Sequence, residues 1–389
     1  MNQALITEEV DRYLRSHLHE NAASFMLKKH PFDQISNKEL TQQLVGLQKA
    51  KNKFPSLFRN LHIIYPPKVN LEQTSSEVTA QYKAQLFPCD SMIDLTGGFG
   101  IDVSAFAKAC SATTHIELNS SLQQYALQLF KAQDLTTKSY SCDGIEFLKK
   151  SLELFDLIFI DPSRKTAAHS KAILLEDYEP NVVKHLDLLL EKGKFVMIKT
   201  SPMLDLTAGF KELKFVNAVH VVAVKNEVKE LLWILSQEHV AQPEICCVNL
   251  KTDQPEFKTQ WNREGVLSYS KPRKYLYEPN AAIMKSQQFA ALVKEYQLYK
   301  LDHDAHLFTS DSLIDFPGRV FKIENTIENK PKLIKRLYAN SSKGIVTRNN
   351  IQSVAQLRKK YQFKEHETDY LFFTSSEELG AIVIEASKL

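Results

Sequence analysis

The sequence predicts an α/β protein: a doubly wound, mostly parallel sheet, preceded by a helical region and followed by small α+β domains. Three observations carry this. Strand-like and helical runs alternate from about 90 to 236, as in a parallel sheet covered on both faces. Two long apolar strands, 216–224 and 228–236, are then separated only by the tight turn Lys225-Asn226-Glu227. Finally, the apolar run Met92-Ile93-Asp94-Leu95 opens into Thr96-Gly97-Gly98-Phe99-Gly100, and a helical pattern begins at Ile101. The expected sheet has seven strands and ends in a β-hairpin.

The chain of 389 residues is long enough for several domains. Its hydrophobic fraction of 43% and charged fraction of 24% are those of an ordinary globular protein. A net charge of +3 permits nucleic-acid binding without demanding it. The five cysteines form no C-x-x-C pair and read as reduced thiols of a cytoplasmic protein. No leader-like start and no membrane-spanning apolar run is present in the sequence.

Residues 1–72 read as helical. Thr7 caps one helix, with Val10, Tyr13, Leu14 and Leu18 on its apolar face. Asn37 is expected to cap a second, carrying Leu40, Leu44, Leu47 and Ala50. The run Gln73-Thr74-Ser75-Ser76-Glu77 marks another helix start. Strands are expected at 91–95, 113–117, 138–142, 157–160 and 194–199, with helices at 120–132 and 180–190. Beyond 241, short strands at 245–250, 274–278 and 298–301 surround a helix at 281–296. A strand–helix–strand–helix–strand–strand pattern then fills 319–386. The expected divisions are 1–72, 73–240, 241–315 and 316–389.

Candidate site residues fall at the carboxyl ends of consecutive strands, where doubly wound folds bind ligands. At the first, Gly97, Gly98 and Gly100 permit close backbone approach, and the helix N-terminus adds N–H donors. At the second, Glu117 lies 17 residues beyond Gly100, close to the ~20 expected of an acid that accepts ribose hydroxyls. The third is Cys142-Asp143-Gly144, where Asp143 is placed to accept from an adenine amino group or to cap a helix. The fourth is Asp161-Pro162-Ser163-Arg164-Lys165, a turn suited to orienting a substrate group, with two cations for a phosphate. Hydride transfer fits poorly, because the third glycine of the dinucleotide fingerprint is missing after Gly100. His303-Asp304-Ala305-His306 has no further Cys/His cluster, so no metal is expected.

This series resembles motifs I to IV of class I S-adenosylmethionine-dependent methyltransferases, whose last strand also inserts antiparallel. The whole chain resembles a bacterial family of such enzymes with ferredoxin-like and THUMP-like C-terminal domains, described as candidate RNA methyltransferases. Further signatures are Lys199-Thr200-Ser201-Pro202-Met203, Tyr277-Glu278-Pro279-Asn280, Phe316-Pro317-Gly318-Arg319 and Thr347-Arg348-Asn349. The resemblance implies a Rossmann-like domain holding S-adenosylmethionine through Asp94, Thr96, Gly97, Gly98, Gly100, Asp102, Glu117, Leu118, Asp143 and Gly144. It implies Asp161, Pro162, Ser163, Arg164 and Lys199 as the catalytic group. Ser163 and Arg164 stand where amino-methylating enzymes carry Pro and an aromatic. Asp-Pro-Ser-Arg is nearer the motif of RNA 5-methyluridine enzymes, but Lys199-Thr200-Ser201-Pro202 lacks their cysteine.

The function expected is methylation of a structured RNA such as tRNA or rRNA. Two alternatives stay open: a small-molecule or protein methyltransferase, and an RNA-binding protein with a weakly active core. Lys271-Pro272-Arg273-Lys274-Tyr275, Lys330, Lys332, Lys335 and Arg336, and Arg358-Lys359-Lys360-Tyr361 are the candidate RNA-contacting stretches. Interspersed acids make a solvated charged face an equal reading.

Overall fold

The computed structural model describes residues 1–164, 174–238, 240–262 and 265–389. Two compact units are present: Met1–Asn217 with Leu232–Val240, and Ala218–Leu231 with Ala241–Leu389. Lys165 of the Asp161 motif lies outside the described residues.

Six helices open the first unit: α1 (Glu8–Ser16), α2 (Ala22–Met26), α3 (Asn37–Lys53), α4 (Pro55–Arg59), α5 (Lys68–Gln73) and α6 (Glu77–Leu86). Thr7 caps α1. Ser36, rather than Asn37, caps α3, through a reciprocal capping box with Glu39. Asn37 is the first helical residue, and its amide donates to the carbonyls of Met26 and Lys28. Leu40, Leu44, Leu47 and Ala50 join one core with Phe99, Ile101 and Leu129. The N-terminal helices therefore grip the glycine turn directly. Burying Phe99 alone contributes roughly 1.5–3 kcal/mol.

The sheet elements of this unit are β1 (Ser91–Asp94), α7 (Ile101–Phe106), β2 (Ala112–Glu117), α8 (Ser120–Ala132), β3 (Lys138–Ser141), α9 (Gly144–Lys150), β4 (Phe155–Ile160), β5 (Ser163–Arg164), β6 (Tyr178–Glu179), α10 (Leu186–Lys192), β7 (Gly193–Thr200) and α11 (Leu206–Glu212). β8 (Val216–Val224) and β9 (Glu227–Leu235) follow. The order is β3-β2-β1-β4-β7-β9, with β9 entering through residues 232–235. β3, β2, β1, β4 and β7 are mutually parallel. The winding reverses between β1 and β4, which is the point where such sheets bind ligands.

Two expectations are corrected here. The helix expected at 180–190 starts only at Leu186, because the Asn181 side chain closes a separate turn by accepting from the Lys184 N–H at 2.9 Å. Cys89 and Cys110, expected as free thiols, form a disulfide with Cα atoms 4.8 Å apart. Pairing of the β1 and β2 entries brings them together, with the Ser111 N–H donating to the Cys89 carbonyl. Nothing in their spacing shows this. Cys142, Cys246 and Cys247 are not part of this disulfide.

In the second unit, Lys225 and Asn226 form the two-residue hairpin turn with φ of 50° and 66°, the left-handed pair such a turn requires. The remaining elements are β10 (Glu244–Leu250), β11 (Phe257–Gln260), β12 (Tyr275–Pro279), α12 (Ala281–Ser286), α13 (Phe289–Tyr296), β13 (Tyr299–Lys300), β14 (Phe308–Ser310), β15 (Gly318–Glu328), α14 (Pro331–Tyr338), β16 (Gly344–Thr347), α15 (Val354–Tyr361), β17 (Asp369–Ser376) and β18 (Gly380–Lys388). β10, expected in the small C-terminal domain, instead pairs in parallel with β8, and β11 lies antiparallel beyond it. The single helix expected at 281–296 is two, because Gln287 turns left-handed at φ 57°. The apolar periodicity continues across that break, which hides it. A seven-stranded sheet ordered β13-β14-β12-β15-β18-β17-β16 completes the unit. The 11-residue β15 pairs with both β12 and β18 and so makes one sheet of the whole C-terminal region.

Candidate active site

The glycine turn is built from beneath. Gly97 lies over the His115 imidazole, where a Cβ would come within 2.2 Å of the ring. Gly100 adopts φ 85° above Phe130, where a Cβ would approach the ring to 2.6 Å. Larger residues at either position displace the turn. The helix that follows, α7, has only six residues, so most of the anion-attracting capacity of this turn resides in its own N–H groups.

His115 is fully buried. Its Nε2 meets the Gly98 carbonyl at 3.3 Å and its Nδ1 meets Ser139 Oγ at 3.0 Å. A neutral ring donating to the carbonyl and accepting from the hydroxyl satisfies both. Burial pushes its pKa down to about 4, with the Gly98 and Gly97 backbone only partly opposing the shift. The unfolded chain, with an ordinary histidine near 6.5, therefore binds more protons between these values. This contribution is fully present above pH ~6.5 and fades as pH falls towards ~4. We predict that His115 accounts for about 2 kcal/mol of stability lost between pH ~7 and ~5. Urea denaturation of His115→Gln should show a correspondingly flatter pH dependence. His220, also lowered to about 4 by burial, retains its own share.

Glu117 ends β2 and reaches back to the turn. Its Oε2 accepts from the Gly98 N–H at 2.8 Å, and its Oε1 from the Asn119 N–H at 2.7 Å. Each oxygen keeps a further acceptor position. Leu118, beside it, is 72% exposed. Asp143 is exposed at the neighbouring strand end and caps α9 by accepting from the Glu146 N–H at 2.9 Å. Gly144 packs so tightly under the turn that a Cβ would lie 2.4 Å from the Leu95 carbonyl oxygen. The second and third strand ends are thereby tied to the first.

The tie to β4 is equally direct. Thr96 Oγ1 accepts from the Asp161 N–H at 2.7 Å, and the Thr96 N–H donates to Asp94 Oδ1 at 2.9 Å. The Asp161 carboxylate pairs with Lys199 of β7. Pro162 is buried, while Ser163 and Arg164 are exposed and pair with Glu179 and Tyr178 across the β5–β6 ladder. Asp94 is almost fully buried. Burial, with the charges of Asp102 and Asp161, raises its carboxyl well above the ordinary range despite the Thr96 hydrogen bonds.

Sequence reasoning missed two lysines here. Lys83 of α6 is fully buried and stands 3.2 Å from Asp102 Oδ1 and 3.1 Å from Ser75 Oγ. Ser75 Oγ also meets Asp102 Oδ2 at 2.7 Å. Burial raises the Asp102 carboxyl, but Lys83, then Lys199 and the Ser75 hydrogen bond, bring it below its ordinary value. Lys53, at the end of α3, donates to the carbonyls of Leu71 and Glu72 at 2.8 and 3.0 Å. Burial and the charges of Lys199 and Lys49 lower it to about 8. The only sequence signal was Lys83 sharing the inward face of α6 with Thr79 and Ala80.

The basic stretches of the second unit are laid out differently. Arg273 stacks over Tyr299 at 3.9 Å and pairs with Asp311. Lys332, Lys335 and Arg336 are exposed on α14, and Lys359 and Lys360 on α15. His303 meets Asp304 at 2.8 Å, and His306 stacks on Phe289. Among the described residues, no group of three metal-ligating side chains is present and no helix is long and apolar enough to cross a membrane.

Comparison with known proteins agrees with this architecture. A ferredoxin-like domain family matches residues 275–317, and a THUMP domain-like family matches residues 318–388. The chain is similar to a candidate methyltransferase from Porphyromonas gingivalis W83, with 26% identity and a TM-score of 0.88 over 100% of this chain and 99% of that one. A candidate class I S-adenosylmethionine-dependent methyltransferase from Listeria monocytogenes has 13% identity and a TM-score of 0.39, over 63% of this chain and 94% of that one. A tRNA (uracil-54, C5)-methyltransferase from Pyrococcus abyssi, solved with S-adenosyl-L-homocysteine, has 14% identity and a TM-score of 0.29, over 41% and 37%. No curated protein matches by sequence. The chain has the class I, S-adenosylmethionine-dependent methyltransferase fold, with ferredoxin-like and THUMP-like segments at its C-terminal end.

Proposed function

We propose that this protein transfers the methyl group of S-adenosylmethionine to a structured RNA. The observation that carries the first half is the linkage of four adjacent strand ends. Glu117 holds Gly98, Thr96 holds Asp161, and Asp161 holds Lys199. The donor lies across β1, β2 and β3, with its methionine and ribose against Thr96, Gly97, Gly98 and Gly100. Glu117 accepts from the ribose hydroxyls. The exposed Leu118 supplies an apolar surface for the adenine, and the exposed Asp143 an acceptor for its amino group. Gly144, Asp94 and Asp102 fix this frame from below.

S-adenosylmethionine, when bound, supplies a methyl carbon made electrophilic by its sulfonium. The protein then has to hold a nucleophile in line and exclude water. Asp161 and Pro162 form the acceptor-facing turn, and Lys199 keeps the Asp161 carboxylate aligned. Ser163 and Arg164 extend that edge. The RNA half rests on the THUMP-like segment and on the exposed cations of α14 and α15. The division at 72, 240 and 315 assigns donor chemistry to the second segment and RNA selection to the last two.

The test is a mass-spectrometric comparison of modified nucleosides in RNA from cells with and without the gene. One methylated nucleoside should disappear on deletion and return with the wild-type gene, but not with Asp161→Ala. An unchanged profile points instead to a small-molecule or protein acceptor.

A further inference from the structure

Three sequence motifs that the methyl-transfer chemistry does not use meet in the second unit. Tyr277-Glu278-Pro279-Asn280 ends β12 and caps α12, Phe316-Pro317-Gly318-Arg319 opens β15, and Thr347-Arg348-Asn349 leaves β16. Their charged members converge on one carboxylate. Glu278 is 4% exposed. Its Oε2 accepts from Arg319 Nε at 2.6 Å and from Arg319 Nη2, and its Oε1 accepts from Arg348 Nη2.

The register explains the first of these contacts. Glu278 sits opposite Arg319 in the β12–β15 ladder. Leu276, Phe321, Val346 and Phe372 lie in one core cluster. Glu278, Arg319 and Thr374 each stand two residues from one of these in their own strands, and Arg348 two beyond Val346 just past β16, so all four lie on the side of the sheet that carries this core. The arginines are held firmly. The Arg319 guanidinium lies 5.4 Å from the Phe321 ring and 5.6 Å from the Tyr370 ring. Arg348 Nη1 donates to its neighbour's carbonyl at 2.9 Å.

We propose that Arg319 and Arg348 form a phosphate-binding fork for the RNA chain, with Glu278 as the positioning residue that orients both. This rests on the RNA reading above. Two guanidinium groups against one carboxylate leave one net positive charge. The Arg319 and Arg348 side chains remain 33% and 40% exposed, although their partner is buried. Arg319 Nη1 and Arg348 Nε make no hydrogen bond among the described residues, so donors remain on both forks. Planar, preoriented guanidinium groups suit a phosphate's paired oxygens. Nearby on the same face, Thr374 Oγ1 and Ser376 Oγ are buried without a hydrogen-bond partner among the described residues. These hydroxyls give the site polar capacity that the fold itself does not use.

The test is fluorescence anisotropy of the full chain with labelled total tRNA across a salt series. Arg319→Gln and Arg348→Gln should each weaken binding about tenfold and reduce the slope of log K against log salt by about 1. Arg348→Lys keeps the charge, so it should keep most of the slope while losing affinity. Thermal unfolding of each variant separates folding from binding. A purely structural tie would lower the unfolding temperature and leave the salt slope of the folded protein unchanged, which overturns the proposal. Wild type that fails to bind RNA removes the RNA reading itself, and this proposal with it.

Discussion

Glu117→Ala should weaken S-adenosylmethionine binding by about 100-fold or more while leaving a folded protein. One carboxylate does two jobs in this site. It accepts from the Gly98 N–H at 2.8 Å and the Asn119 N–H at 2.7 Å, and so shapes the turn. Its remaining lone pairs are the proposed acceptors for the ribose. Hydrogen bonds to a charged group contribute roughly 1.5–3 kcal/mol each, so losing the ribose contacts and loosening the turn together remove about 3 kcal/mol or more. Glu117→Gln should be nearly as damaging, because one side of an amide presents N–H groups to backbone donors that need an acceptor. Glu117 is only partly buried, so circular dichroism should show native secondary structure. Calorimetric titration of both variants checks the expectation, and wild-type affinity in Glu117→Ala would remove Glu117 from the donor site.

The largest stability effect is expected at Lys83. Lys83→Met leaves Asp102 buried beside Ser75 without its cation. Removing one partner of a buried pair costs about 3–5 kcal/mol, read as a fall in the urea midpoint. The pH dependence carries a second signature. In the wild type, Asp102 is held below its ordinary range, so its contribution is present above the unfolded pKa and is lost as pH falls through the folded one. In Lys83→Met, burial without the lysine raises the Asp102 carboxyl, so protonation relieves the penalty. The stability gap between the two proteins should therefore narrow as pH falls from about 7 to about 4. Adding Asp102→Asn to Lys83→Met should recover part of the loss. A gap that stays constant with pH would show that Lys83 acts through packing alone.

These two residues also mark where sequence reasoning succeeds and where it stops. The place of Glu117 beside the turn was legible because a strand end, a glycine turn and a fixed spacing bring it to the Gly98 N–H. The β8–β9 hairpin was legible because both long apolar strands flank a turn of two residues. Lys83 was not. A lysine on a helix ordinarily reads as solvated, and its burial depends on Asp102 on another helix. His115 was hidden the same way, since nothing in its strand shows that Gly97 lies across its ring. Lys53 was not legible either, since its burial and the repulsion by the Lys199 charge arise from residues far from it in sequence. The pairing of β10 with β8 was not legible, because strand pairing between segments leaves no periodicity in either one. The arginine pair on Glu278 appeared in the sequence as three separate motifs, and only the register of β12 and β15 brings two of them together.

Titration of the wild-type chain with S-adenosylmethionine tests the central claim most directly. A donor site on the β1 turn predicts saturable binding of one molecule per chain in the micromolar range, displaced by S-adenosylhomocysteine. No binding, or binding that S-adenosylhomocysteine does not displace, would contradict it.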